Sequence, residues 1–368
     1  MGASDNVRPW AVLIKGLVFF LLINYAFALP VFRNIYRLSF YNTIVPGKLG
    51  FGVSADLDIM LMSNNLSARK AADEFRVFVS GDSSVAGAGL KLDERFVYLL
   101  NQQGLRSCGG KRMVFYNLGS PYKSLVKDLL ILDRAVDHQP DLIVHFLTLE
   151  TLLPGKQFDP IVVKRNPAAV NDLIDTYKID LAPYPEDDIE FLNIPTDHTL
   201  WGERNKLYAW VRENMNAMLY AADLFKQERE GGDDDPEPAA IRSDLTFSGW
   251  KPGDFREEEL QLGLARHILD LAGTAPVIFV NEPILIAPNL PDSAARYNKN
   301  YPRWVYDEYR VYLAERMADA DQPYLDLWDA VPAEYFGNSA FHRKPQGEII
   351  LMEKLIEPIV SISCGAAP

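Results

Sequence analysis

The sequence predicts an α/β fold: a three-layer doubly wound sheet of about five parallel strands, preceded by a transmembrane helix and interrupted by a helical insertion. Three observations lead there. Five short apolar runs lack polar alternation, as strands buried on both faces do. Amphipathic helical periods separate them, and such alternation of strand and helix favours a parallel sheet covered on both sides. A long apolar stretch near the N-terminus belongs to neither pattern.

That stretch, Trp10 to Pro30, reads WAVLIKGLVFFLLINYAFALP and carries a single charge, Lys15. Lys15 lies close enough to one end to snorkel to an interface. From Pro9 to Phe32 the run approaches the roughly 20 apolar residues that a bilayer crossing needs. A cleaved signal peptide competes, because Ala26-Phe27-Ala28 has the small-x-small form of a cleavage site. A buried core helix is the third reading. An uncleaved single-pass anchor over residues 1–33 accounts best for the length and the scarcity of polar groups. Arg8 and Lys15 lie at its start while Arg33, Arg37 and Lys48 follow it, so the positive-inside rule does not orient it. Residues 34–75, aromatic and punctuated by Pro46-Gly47 and Gly50-Phe51-Gly52, read as a membrane-proximal collar.

One α/β domain is expected over 76–360. Its strand candidates are Arg76–Ser80, Met113–Asn117, Leu142–Leu147, Val277–Val280 and Tyr324–Trp328. Leu125, Leu129, Leu132 and Val136 form a helical stripe, and Leu260–Leu271 and Glu348–Val360 behave alike. Residues 158–255 are too many for a simple crossover and read as an insertion. It holds an aromatic-rich helix (Lys206–Leu224) and a polar tract, Glu228–Pro238, of the composition of a solvated loop. Trp201, Tyr208 and Trp210 read as the insertion's own core, with a sugar-stacking platform as the alternative. Residues 361–368 form a tail.

Composition narrows the function. The 368 residues include 37 Lys+Arg against 50 Asp+Glu, a net charge of -13, with no basic cluster, which argues against nucleic acid as a partner. Two cysteines, Cys108 and Cys364, are too few for a disulfide scaffold or a multi-cysteine metal site, and the sequence leaves their pairing open. Asp197-His198 alone falls short of the three or four converging ligands of a zinc site, so no metal and no cofactor are expected. His145, inside the third strand candidate, reads as a satisfied core histidine.

The chemistry-bearing residues sit where strands end. The first strand candidate runs into Gly81-Asp82-Ser83-Ser84, the second ends in Asn117-Leu118-Gly119, and His342 follows the fifth. A serine on a strand-to-helix turn exposes its hydroxyl, and backbone N–H groups of such a turn can face an oxyanion. Ligands bind outside the carboxyl ends of strands in open α/β sheets, so Ser83, Gly119 and His342 are expected on one rim.

The segments RVFVSGDSSVAGAGL, NLGSPY, PDLIVHFLTLE and FHRKPQG resemble the successive blocks of the SGNH/GDSL hydrolase family. The resemblance covers Arg76 to about Thr151 and Val277 to Val360. It implies the flavodoxin-like SGNH fold, with Ser83 as nucleophile, Gly119 as an oxyanion donor and His342 as general base. The anchored layout is similar to membrane-tethered members that partner membrane-bound O-acyltransferases. That likeness implies an acylated glycan or lipid-linked substrate, an integral membrane partner and an extracytoplasmic domain. Two positions depart from the family pattern. Glu150 stands where an oxyanion asparagine is usual. Ser339, preceded by Asn338, stands where an aspartate usually orients the histidine. Those departures also admit a second reading, a catalytically impaired subunit that binds or assembles with an integral membrane complex.

Overall fold

A computed structural model describes residues 9–29, 57, 61, 66, 69–185, 199–221, 245–288, 294–337 and 339–365. Most of the predicted collar, the tract Glu228–Pro238, the pair Asp197-His198 and Asn338 lie outside the described residues.

The elements follow in order: α1 (Pro9–Ala26), β1 (Glu74–Ser80), α2 (Ser83–Ala86), α3 (Phe96–Gln102), β2 (Arg112–Asn117), α4 (Leu125–Ala135), β3 (Leu142–Leu147), α5 (Ile161–Lys164), α6 (Pro167–Tyr177), α7 (Arg204–Ala221), α8 (Gly263–Ala272), β4 (Val277–Asn281), α9 (Arg303–Asp319), β5 (Tyr324–Asp326) and α10 (Pro345–Ile362). All five strands are parallel, in the order β2-β1-β3-β4-β5. This is the expected doubly wound sheet of five strands, and its strand order reverses beside β1, the geometry that opens a crevice at the carboxyl ends.

Alternate side chains of β1 enter two cores. Val77 and Val79 join Phe96, Val97 and Leu100 of α3 and Leu351, Leu355 and Ile359 of α10 on one face. Phe78 faces Leu129 and Leu132 of α4, Ile268 of α8 and Leu313 of α9 on the other. Burial on both faces explains why the strands read as unbroken apolar runs. Buried Gln157 caps α4: its Oε1 accepts from the N–H groups of Leu125 and Val126 at 3.0 and 3.2 Å, satisfying donors that a helix start leaves free.

Val162, Val163, Val170, Leu173, Phe247 and Trp250 lie in the main core, so both ends of 158–255 pack with the α/β domain. Trp201 and Tyr208 are exposed, 57% and 66%, and so do not form the insertion's core. The helix predicted over Lys206–Leu224 is α7, which begins two residues earlier, at Arg204. The apolar stretch forms α1, and nearly all its apolar side chains are exposed. Its buried residue is Asn24, which accepts from the Leu200 N–H at its carbonyl (3.1 Å) and from the Trp201 N–H at Oδ1 (2.8 Å).

Cys108, in the turn between α3 and β2, and Cys364, just beyond α10, are joined in a disulfide across 256 residues. Closing so long a loop restricts the unfolded chain, and losing such a bond costs about 2–5 kcal/mol. Thermal unfolding with and without reductant should show this as a fall of several degrees in Tm; identical curves, with reduction verified by alkylation of two thiols, would contradict it.

Candidate active site

The site grows from the turn after β1. Asp82 caps α2, its Oδ1 accepting from the Ser84 N–H at 2.7 Å, so that Ser83 becomes the first helical residue. At that position its own N–H has no helical acceptor, and it makes no hydrogen bond among the described residues. The Ser83 hydroxyl meets the ring of His342, Oγ to Nε2 3.0 Å, across 259 residues of chain. The sequence places these two residues on one rim, and the structure brings them into hydrogen-bond reach.

Two buried cations hold the turn. Lys127 Nζ donates to the carbonyls of Gly81 and Ser120 at 2.8 and 2.9 Å and pairs with Asp128 at 2.9 Å. Arg343, next to His342, donates to the Ser84 carbonyl at 3.0 Å and to Glu348 at 2.6 Å. The second oxygen of Glu348 accepts from the Phe96 N–H at 2.8 Å. The Ser83 turn, the His342 segment and helices α3 and α10 are thereby tied to one buried ion pair.

Gly119 has a different task from the oxyanion donor that the resemblance implies. Its N–H donates to Asn117 Oδ1 at 2.9 Å, a turn closed within the loop, and so is spent. What the position needs is the absence of a side chain: a Cβ there would lie 2.4 Å from the Ala86 nitrogen and 2.7 Å from the Val85 carbonyl carbon. Gly119 lets the β2 loop lie against α2, and Asn117 Nδ2 fastens the contact to the Val85 carbonyl at 2.8 Å. The N–H of Ser83, by contrast, has no acceptor among the described residues.

Glu150 does not face an oxyanion alone. Lys123 Nζ pairs with it at 3.0 Å and sits over the ring of Phe341, so the carboxylate is balanced by an adjacent ammonium. The possible orienters of His342 give no carboxylate. Ser339 Oγ accepts from the Phe341 N–H at 3.3 Å instead of holding the ring, and Asn338 is outside the described residues. Nδ1 of His342 makes no hydrogen bond among the described residues.

Residues that sequence reasoning passed over complete the rim. Glu282, directly after β4, is buried and accepts from the Ser84 hydroxyl. Its Oε1 and Asp82 Oδ2 each lie 4.0 Å from Lys123 Nζ. Burial and the nearby Asp82 charge push Glu282 up to about 7, only partly offset by Lys123. Burial also acts to raise Asp82, but Lys123 and Lys127 outweigh it and hold that carboxyl below its ordinary value. Desolvation lowers His342 below 6.5; Asp82 opposes this, while Arg343 and Lys123 reinforce it. The imidazole is therefore neutral near pH 7, the form that can accept a proton. A carboxylate immediately beyond a buried strand, as in VIFVNE, was the available signal for Glu282. His145 is a core histidine, its Nδ1 2.8 Å from Ser80 Oγ and its pKa pushed down to about 3 by burial, but its buried Nε2 has no partner among the described residues, so the expected full satisfaction is met at one nitrogen only.

No family model and no curated protein matches the chain. Among similar solved structures is a carbohydrate acetylesterase family member from Sinorhizobium meliloti, 10% identical, covering 79% of this chain and 99% of that one, with a TM-score of 0.37. A lipolytic protein of the G-D-S-L family from Veillonella parvula is 10% identical, covering 77% and 96%, with a TM-score of 0.35. The aryl esterase of M. smegmatis is 12% identical, covering 78% and 98%, with a TM-score of 0.36.

Replacing Arg343 by Met leaves the buried Glu348 carboxylate uncompensated, and about 3–5 kcal/mol of stability should be lost. Urea unfolding measures it. The double variant Arg343→Met/Glu348→Met should lose less than the single one; a single-variant loss under about 1 kcal/mol would show that the pair does not hold this region together.

Proposed function

We propose that this protein is a membrane-anchored serine esterase or O-acyltransferase of the SGNH type, acting on O-acyl groups of a glycan or lipid-linked substrate. The observation that carries the proposal is the 3.0 Å approach of Ser83 Oγ to His342 Nε2 at the carboxyl rim of the sheet. His342, neutral near pH 7, takes the hydroxyl proton as Ser83 attacks the acyl carbon. The Ser83 N–H supports the negative charge that develops on the acyl oxygen. His342 then returns its proton to the departing alcohol, leaving an acyl-enzyme. Water resolves it to hydrolysis, and an acceptor hydroxyl resolves it to transfer.

Without a carboxylate at Nδ1, the imidazolium formed during attack relies on the field of Asp82, the nearby anion that favours its charged form. In the serine-protease triad, replacing the aspartate by asparagine lowers turnover by about 10⁴, so a modest rate is expected here. The same bare Nδ1 favours the second reading, a subunit that keeps the fold for binding or assembly beside an integral membrane partner.

For the anchor, α1 carries the support: among the described residues it is the one helix long and apolar enough to cross a membrane, and only 6% of its apolar window is buried. At 1.5 Å per residue its 18 residues span roughly 27 Å, near the thickness of a hydrocarbon core. The Cys108–Cys364 bond supports an oxidising, extracytoplasmic side for the domain.

A fluorophosphonate probe should label the wild type and not Ser83→Ala. Equal labelling of both removes Ser83 as nucleophile, and labelling of neither supports the assembly subunit. If the base is His342, the acid limb of kcat/KM on a simple aryl ester should fall below pH 6.5. Lys123→Gln, by removing a positive charge that lowers His342, should move that limb upward; a wild-type limb at or above pH 7 would exclude His342 in this role.

A further inference from the structure

We propose that α7 is a second membrane contact, a helix lying along the headgroup boundary of the bilayer that α1 enters; this rests on the anchor reading of α1. Trp201, Tyr208, Val211, Met215 and Met218 are all exposed, from 39% to 66%. At 100° per residue, the four helical members fall within an arc of about 80°, a stripe that Arg204 of the first turn enters and that the exposed Trp201 precedes. Stripes of this size on a water-facing surface mark a contact with something apolar.

The location of α7 identifies the occupant. Asn24 lies in the last turn of α1, and its carbonyl and side chain accept the N–H groups of Leu200 and Trp201 at 3.1 and 2.8 Å. If α1 spans the hydrocarbon layer, Asn24 sits at one edge of it, and the segment bonded to Asn24 sits at the same depth. The helix beginning three residues after Trp201 starts at that boundary. The Arg204 guanidinium stacks over the Trp201 ring, 4.7 Å from its centroid, pairing a cation with an amphipathic aromatic as interfacial segments do. The stripe thus continues the exposed apolar surface of α1, and the partner it fits is lipid.

The test uses the full chain in phosphatidylcholine vesicles, which offer no net charge to attract a protein of net charge -13. The native cysteines are tied to each other, so a single introduced thiol takes an environment-sensitive NBD label. Labels at Tyr208→Cys and Met215→Cys should be quenched several-fold more by lipids spin-labelled near the headgroup than a label at Val311→Cys, an exposed site on α9. A label at Leu17→Cys, midway along α1, should be quenched by lipids spin-labelled deep in the chain. Quenching at Leu17 with positions 208 and 215 no different from 311 overturns the proposal and leaves the anchor intact. No quenching at Leu17 overturns the anchor reading, and this proposal with it. Blue-shifted emission at 208 and 215 without lipid quenching shows that protein, not lipid, covers the stripe, and also overturns it.

Discussion

The buried guanidinium of Arg343 is the constraint on which the rest of the site depends. One side chain joins the Ser84 carbonyl, in the turn that presents Ser83, to Glu348 at the start of α10, and Glu348 reaches on to the Phe96 N–H at the start of α3. Because Arg343 follows His342, holding the guanidinium also holds the imidazole. A buried ion pair is a poor source of stability in itself, since desolvating both partners consumes most of the attraction. What it supplies here is register between parts of the chain far apart in sequence. Lys127 works from the opposite side, gathering the Gly81 and Ser120 carbonyls so that the loops after β1 and β2 keep a fixed spacing. Between the two cations, the serine turn has little room to move.

Charge at the rim is balanced over short distances rather than absent. Asp82, Glu150 and Glu282 surround Lys123, which lies within 4.0 Å of a carboxylate oxygen of each. One ammonium cannot neutralise three carboxylates, and the most buried of them responds by retaining its proton up to about pH 7. Glu150 at the rim thus already has a counter-ion in Lys123. The arrangement also leaves Asp82 as the charged carboxylate whose field reaches His342.

The sheet was legible because strands buried on both faces leave an unmistakable apolar signature, and all five strands fall where that signature lies, with ends displaced by at most two residues. Ser83 and His342 were legible through the phrases around them. The remaining site residues were not, for a common physical reason: their meaning lies in partners remote along the chain. Glu282 meets Ser84 across 198 residues and Arg343 meets Ser84 across 259, so no local spacing announces either contact. Gly119 illustrates a subtler gap. Its position at the rim was readable, but where its N–H points depends on the Asn117 side chain two residues earlier. The exposure of Trp201 and Tyr208 was likewise hidden, because aromatic content alone does not say which face of a helix is covered.

The 259 residues between Ser83 and His342 also bear on how the protein is made. A chain emerges N-terminal end first, so β1 and its serine turn appear long before the segment that bears the imidazole and the guanidinium. Until that segment arrives, Ser83 has no imidazole beside it, the Ser84 carbonyl no cation and Cys108 no partner. The Ser83–His342 contact therefore forms only when the last strand and helix dock. Completion of the fold and assembly of this pair are one event.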